Sequence, residues 1–351
     1  MFLSVFKVLA PTALAFFIGM TLTPFLTHYL YTYKLWKKKS GKVDLEGRDT
    51  PIFNELHKNK EVGTPRMGGV IIWVSTLITV ILFWLFDILW PSNLSTKLNF
   101  LSREQTWLPI FTLLVGSVVG LIDDLYQVLG RDLGNRGLAF RKRLLVVVLL
   151  GLVGGWWFYV KLGVTSIFVP GVGAIFIGWW LVPLFIMVMI ALFSSGVIDG
   201  LDGLAGGIMT IIFVAYAGIS FFNNQIDLAA LCGVVAGGTL AFLWFNIPPA
   251  RFYMSETGIL GLTTTLTVVA FLTDSVIFLP IIALPLVATS LSVIIQLASK
   301  KLRGGKKVFL VAPLHHHFEA IGWPATKVVM RYWIIGVIAA ILGMILVLLR
   351  V

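Results

Sequence analysis

Residues 204–222, LAGGIMTIIFVAYAGISFF, run without one charged side chain. As a helix rising about 1.5 Å per residue, such a stretch spans a hydrocarbon core about 30 Å thick. Helices and closed barrels alone satisfy every backbone polar group inside that core, so the run reads as a membrane span. Similar runs lie on both sides of it, and spans are predicted near Val8 to Leu30, Val70 to Trp90, Leu108 to Ile122, Leu144 to Tyr159, Trp179 to Phe193, Leu204 to Phe222, Leu228 to Phe245, Ile259 to Leu272, Val276 to Leu297 and Tyr332 to Leu349. Ten spans make one polytopic, all-α integral membrane domain over residues 1–351, with no internal repeat and no soluble domain. The composition agrees: 58% of residues are hydrophobic and 12% charged, against roughly half and a quarter in a soluble domain. The first span is too long for a signal-peptide core and lacks a small-residue cleavage pattern, so it is read as uncleaved. Between the fourth and fifth spans, VTSIFVPGVG (Val164–Gly173) alternates β-branched residues with glycine and proline, which predicts a small β-hairpin within 161–174.

The formal charge of +11 does not point to nucleic acid, because the cations sit in short loops between spans. Only Lys7, Lys97, Arg103, Lys161 and Arg350 of the 27 basic residues fall on one side. Basic loops stay in the cytoplasm, which places both termini outside. Cys232 is the sole cysteine, so neither a disulfide nor a cysteine metal site is available.

On this topology Asp123, Asp124, Asp199, Asp202 and Glu256 all fall at the cytoplasmic boundary. Carboxylates beside hydrocarbon are costly unless paired or solvated, so they are functional candidates, although helix capping and charge balance would also explain them. Oxygen ligands from separate helix ends suit Mg²⁺, which completes its shell with waters and substrate phosphates. In PLHHHFEAIGW, the consecutive His315, His316 and His317 cannot share one direction in regular structure, so phosphate or sugar contacts fit better than a three-histidine metal site. The neighbouring run KKLRGGKK (Lys300–Lys307) adds a positive field or simply marks topology. GTPRMGG (Gly63–Gly69), with Thr64, either offers donors to a phosphate or turns the chain into the second span. The Asn246 amide either reads a substrate edge or caps its helix.

Taken together, LIDDLYQ, IDGLDGLAGG, WFN, YMSETG, GTPRMGG, GLAFRKRLL and APLHHHFEAIGW resemble the phospho-N-acetylmuramoyl-pentapeptide transferase family, a branch of the polyprenyl-phosphate N-acetylhexosamine-1-phosphate transferases. The resemblance runs from about His57 to Trp333. It implies a ten-helix enzyme of the bacterial cytoplasmic membrane, with its active site on the cytoplasmic face. The implied reaction moves phospho-MurNAc-pentapeptide from UDP-MurNAc-pentapeptide to undecaprenyl phosphate with Mg²⁺, giving lipid I and UMP, and the implied assembly is a homodimer. By motif, Asp123, Asp124 and Asp199 match catalytic aspartates, and Glu256 with Asp199 the magnesium site. Lys60, Thr64, Asp202, Asn246 and His315 to His317 match substrate-binding positions. The chain departs at Gln127 (usually lysine), Phe193 and Gly196 (usually asparagine), Arg66 (usually threonine) and Glu256 (usually aspartate). A sibling transferase using UDP-GlcNAc or UDP-GalNAc would share the carboxylates. A transporter or lipid flippase would need ionisable groups at mid-bilayer, and these spans carry almost none.

Overall fold

The computed structural model describes residues 2–37, 62–102, 104–129 and 137–349. Among these, nine helices are long and apolar enough to cross a membrane: α1 (Phe2–Thr32), α2 (Val70–Leu89), α4 (Trp107–Leu129), α5 (Phe140–Trp156, continued by a wider turn to Lys161), α6 (Leu181–Ser194, with short 3₁₀ turns at either end), α7 (Leu204–Phe222), α8 (Ile226–Asn246), α9 (Ser255–Leu272) and α13 (Ala325–Leu349). The short α3 (Asn93–Leu98) starts from a reciprocal Ser92–Ser95 capping box. This is a multi-pass membrane fold.

The tenth expected span, Val276 to Leu297, is the place where the fold differs. It is divided at Ala283 into α10 (Leu279–Ile282) and α11 (Leu284–Leu302). Pro280 and Pro285 each sit in the first turn of a new helix, where a missing N–H costs nothing. α11 carries Thr, Ser and Gln on its buried side and ends in Lys300 and Lys301. The predicted hairpin forms from β1 (Ser166–Val169) and β2 (Gly173–Phe176), antiparallel with Ser166 opposite Phe176.

Burial sorts the helices into layers. In α7, α8 and α9 the most apolar windows are 78%, 83% and 89% buried, against 22% in α1, so these three form the centre and the other helices surround them. α9 is the least apolar of the nine, and its threonines bond back to their own helix, as Thr263 Oγ1 does to the Ile259 carbonyl at 2.8 Å. That satisfaction lets a polar sequence sit at the centre of the bundle.

Two opposite sets of connections are tied together separately. The Phe168 amide donates to Asp274 at 3.1 Å, Gln225 to the Leu272 carbonyl at 2.7 Å, and Lys7 pairs with Asp227. The other set comprises 33–37 and 62–69, 137–139, 195–203, 247–254 and 303–324; it holds Thr64, Asp199, Asp202 and His315 to His317, and Asp123, Asp124, Asn246 and Glu256 lie near the ends of the helices beside it.

Candidate functional site

The site begins with the close approach of α4 and α9. A Cβ on Gly116 would stand 2.9 Å from the Gly261 Cα, and one on Gly120 would collide with the Glu256 carbonyl. Small residues permit such backbone contact, and in lipid that contact is a main source of helix association. Thr264 Oγ1 reinforces it by donating to the Thr112 carbonyl at 3.1 Å. One turn beyond Gly120 come Asp123 and Asp124, both fully buried, directly facing the first turn of α9 with Glu256 and Thr257.

Every oxygen of Asp124 has a donor. Arg66 approaches Oδ1 with Nε at 3.2 Å and Nη2 at 3.1 Å, while Thr257 gives Oδ2 its amide at 3.0 Å and its hydroxyl at 2.7 Å. Asp123 accepts from the Leu138 amide and from Gln127 Nε2 at 2.8 Å, and Gly137 lies so close that a Cβ there would strike the carboxylate. Arg143, in the first turn of α5, places Nη1 3.6 Å from Asp123 and in contact with Glu256.

Arg66 reaches its carboxylate because its loop is zipped onto another. The Pro65 carbonyl accepts from Tyr253 at 2.9 Å, the Gly68 amide donates to the Tyr253 carbonyl at 2.8 Å, and Gly69 donates to Met254 at 3.2 Å. A side chain on Gly68 or Gly69 would meet Phe252 or the Gly258 backbone, so the glycines of this turn are steric necessities. Burial alone would lower the Arg66 pKa; Asp124, Asp199 and Glu256 more than offset it, holding the guanidinium above its ordinary value.

Asp199 closes the cluster by accepting the Ser255 amide at 2.9 Å, immediately before Glu256. Asp202 accepts the Ala250 amide at 3.2 Å. Asn246 is 4% exposed; its Oδ1 accepts from Gly203 at 2.9 Å and its Nδ2 donates to the Phe252 carbonyl at 2.8 Å. Both ends of this amide join backbone, so the structure gives it the place of a strut between loops. The histidines divide. Within α12 (Leu314–Ala320), His315 and His316 are buried with ring centroids 4.2 Å apart, and a Cβ on Gly200 would meet Nε2 of both. His316 Nδ1 lies 2.7 Å from Glu319. His317 turns away, against Phe309 and the Leu310 amide. Thr64 is half-buried on the Arg66 loop, and Lys60 lies outside the described residues, as does all of the basic segment 38–61.

Asp123, Asp124, Asp199 and Glu256 thus come from three distant stretches of chain to surround two guanidiniums. Arg143, Thr257 and the Leu138 amide were not singled out from sequence; the signal for Arg143 was its place one turn into a helix at the same boundary as the acids. Four carboxylates against two arginines leave two formal negative charges, carried on hard oxygens, which matches a divalent cation in charge and donor type. Among the described residues no three Asp, Glu or His side chains converge tightly enough to hold an ion as they stand, because Arg143 lies between Glu256 and Asp123.

The class follows from comparison: residues 106–274 of this membrane bundle match the family model described as Glycosyl transferase family 4. The particular branch follows from full-length relatives. A phospho-N-acetylmuramoyl-pentapeptide-transferase of Geobacillus sp. (strain WCH70) is 37% identical over 287 residues, 81% of this chain and 84% of the relative. One from Chloroflexus aurantiacus is 32% identical over 88% of this chain and 83% of its own. One from Listeria innocua is 31% identical over 97% and 98%. The chain belongs to the phospho-N-acetylmuramoyl-pentapeptide transferase family.

Proposed function

We propose that this chain transfers phospho-MurNAc-pentapeptide from UDP-MurNAc-pentapeptide to undecaprenyl phosphate, releasing UMP and forming lipid I, at the cytoplasmic face of a bacterial cytoplasmic membrane and with Mg²⁺. The observation that carries the reading is the meeting of Asp123, Asp124, Asp199 and Glu256 around Arg66 and Arg143 in a chain of this family. Asp199 and Glu256 would hold the cation, which when bound neutralises charge on a diphosphate under attack. An oxygen of the lipid phosphate attacks the sugar-bearing phosphorus, and the bond from that phosphorus to the bridging oxygen breaks, so that UMP leaves with the bond's electrons. Asp124, with both oxygens held by four donors, is a poor nucleophile. Its work is to fix Arg66 at the cluster, leaving Nη1 of that side chain for an anionic substrate. Asp123, held by Leu138 and Gln127, orients the incoming lipid phosphate or takes its proton. His315 and His316, packed on the Asp199–Gly203 turn, set that turn's position, and a homodimer is part of the same proposal.

The test is release of UMP by purified protein given undecaprenyl phosphate, Mg²⁺ and either UDP-MurNAc-pentapeptide or UDP-GlcNAc. Release with the first alone is expected. Release with UDP-GlcNAc alone transfers the reading to a sibling specificity, and near-normal turnover by Asp199→Asn removes the role given to Asp199.

A further inference from the structure

The run from Lys300 to Leu310, KKLRGGKKVFL, is used by nothing in the proposed reaction. It is a built structure. α11 ends at Leu302, and the chain reverses through Gly304 and Gly305, both at positive φ (58° and 87°) with open space where a Cβ would stand. The returning segment is bolted to the helix. The Gln296 Oε1 accepts the Val308 and Phe309 amides at 3.0 Å each, its Nε2 donates to the Phe309 carbonyl at 2.8 Å, and Ser299 Oγ donates to the Lys306 carbonyl at 2.8 Å. Gln296 is 5% exposed, so this is a fixed finger.

Its surface has two kinds of group. Lys300, Lys301, Arg303, Lys306 and Lys307 form no ion pair among the described residues, and no acidic residue occurs from Lys300 until Glu319. Interleaved with them, Leu302 is 82%, Val308 48% and Leu310 50% exposed. The finger also continues an exposed apolar stripe of α11, made by Leu291, Ile294, Ile295 and Leu297. A stripe facing hydrocarbon that passes directly into unpaired cations marks the depth at which acyl chains give way to headgroups.

We infer that this finger is a binding surface for the anionic phospholipid headgroups of the leaflet, with Leu302, Val308 and Leu310 dipping toward the acyl chains and the five cations meeting phosphodiesters. Basic clusters next to a membrane helix attract anionic lipid by this field. A nucleotide would have no use for the exposed leucines, whereas an amphipathic lipid satisfies both kinds of group at once. Leu314 ties its amide to Ser292 of α11 at 2.9 Å, so the finger is joined rigidly to the helix carrying His315 and His316.

The experiment reconstitutes the full chain in phosphatidylcholine vesicles and measures, by electron spin resonance, the motionally restricted fraction of spin-labelled phosphatidylglycerol and of spin-labelled phosphatidylcholine. The wild type is expected to hold phosphatidylglycerol roughly threefold in preference at low salt and to lose that preference at high salt. The combined Lys300→Gln, Lys301→Gln, Lys306→Gln, Lys307→Gln protein is expected to show no preference, and the Lys→Arg version at the same four positions to regain it. No preference in the wild type, or full preference in the glutamine protein, overturns the inference. So does an unchanged lipid preference accompanied by a raised KM for the nucleotide substrate, which would assign the cations to that substrate instead.

Discussion

Replacing Gly120 by alanine tests whether the α4–α9 approach sets the carboxylates. The new Cβ would fall on the Glu256 carbonyl and 2.7 Å from the Thr257 nitrogen, where ordinary contact begins at 3.4 Å. The shortfall at Thr257 alone is about 0.7 Å, and no rotamer relieves it because both neighbours are backbone. Overpacking of this kind costs about 1–3 kcal/mol, so thermal unfolding should fall measurably. The larger effect is on chemistry. Relief has to come from separating Asp123 and Asp124 from Glu256 and Thr257, and a misplacement near 1 Å at a reacting centre costs on the order of 100-fold. UMP release in detergent, followed with thermal unfolding of the same samples, reads both quantities. Two companions separate stability from placement. Gly151→Ala meets Ile186 at 3.1 Å on the α5–α6 seam and should lose stability with turnover kept. Gly196→Ala, near Asp199, meets only Ile259 side-chain atoms at 3.4 and 3.6 Å and should stay within about twofold of wild type in turnover. Turnover of Gly120→Ala above a third of wild type would show that the α4–α9 approach does not set the carboxylates.

Asp124→Asn should be severe in stability as well as turnover, because it leaves Arg66 without its counter-ion; removing one partner of a buried pair costs about 3–5 kcal/mol, and a thermal melt unchanged within error would deny that pairing. Arg143→Gln should tighten Mn²⁺ binding, measured by spin resonance on substrate-free protein, by roughly tenfold, since the guanidinium and the cation compete for Glu256; weaker or equal binding would remove the competition. Asn246→Ala should cost about 1–3 kcal/mol for the Gly203 and Phe252 bonds it drops while leaving Mn²⁺ affinity intact, and a loss of nucleotide affinity without loss of stability would return the residue to the substrate pocket.

The spans were readable because hydrocarbon imposes one rule on every long apolar run, and the rule failed only where proline interfered. Pro11 and Pro24 lie inside α1 without ending it, yet Pro280 and Pro285 each open a new helix. The residues themselves do not distinguish the cases. What differs is the surroundings. Pro11 is buried within its helix just as Pro285 is, but Ile282 and Ala283 between the two later prolines are fully buried, and Ile282 packs where a Cβ on Gly343 of α13 would collide with it. That packing belongs to tertiary structure and leaves no local trace.

The site divides in the same way. Its acids stand out in the sequence because a carboxylate beside hydrocarbon has few innocent explanations, and the structure gathers Asp123, Asp124, Asp199 and Glu256 as neighbours. The arginines do not stand out, because every cytoplasmic loop of a membrane protein carries cations for topology, and Arg66 and Arg143 look like the rest. Distance separates them: Arg66 is 3.1 Å from Asp124, while the lysines of the 300–307 finger form no ion pair among the described residues. The histidine triplet falls between these extremes. Successive helical side chains turn by about 100°, so three in a row must diverge, and the sequence says no more than that. Which two face the cluster is decided by Gly200. Without a Cβ it admits Nε2 of both His315 and His316, and any larger residue there would push α12 off the Asp199 turn, so a glycine in DGLDG specifies the direction of histidines more than a hundred positions away.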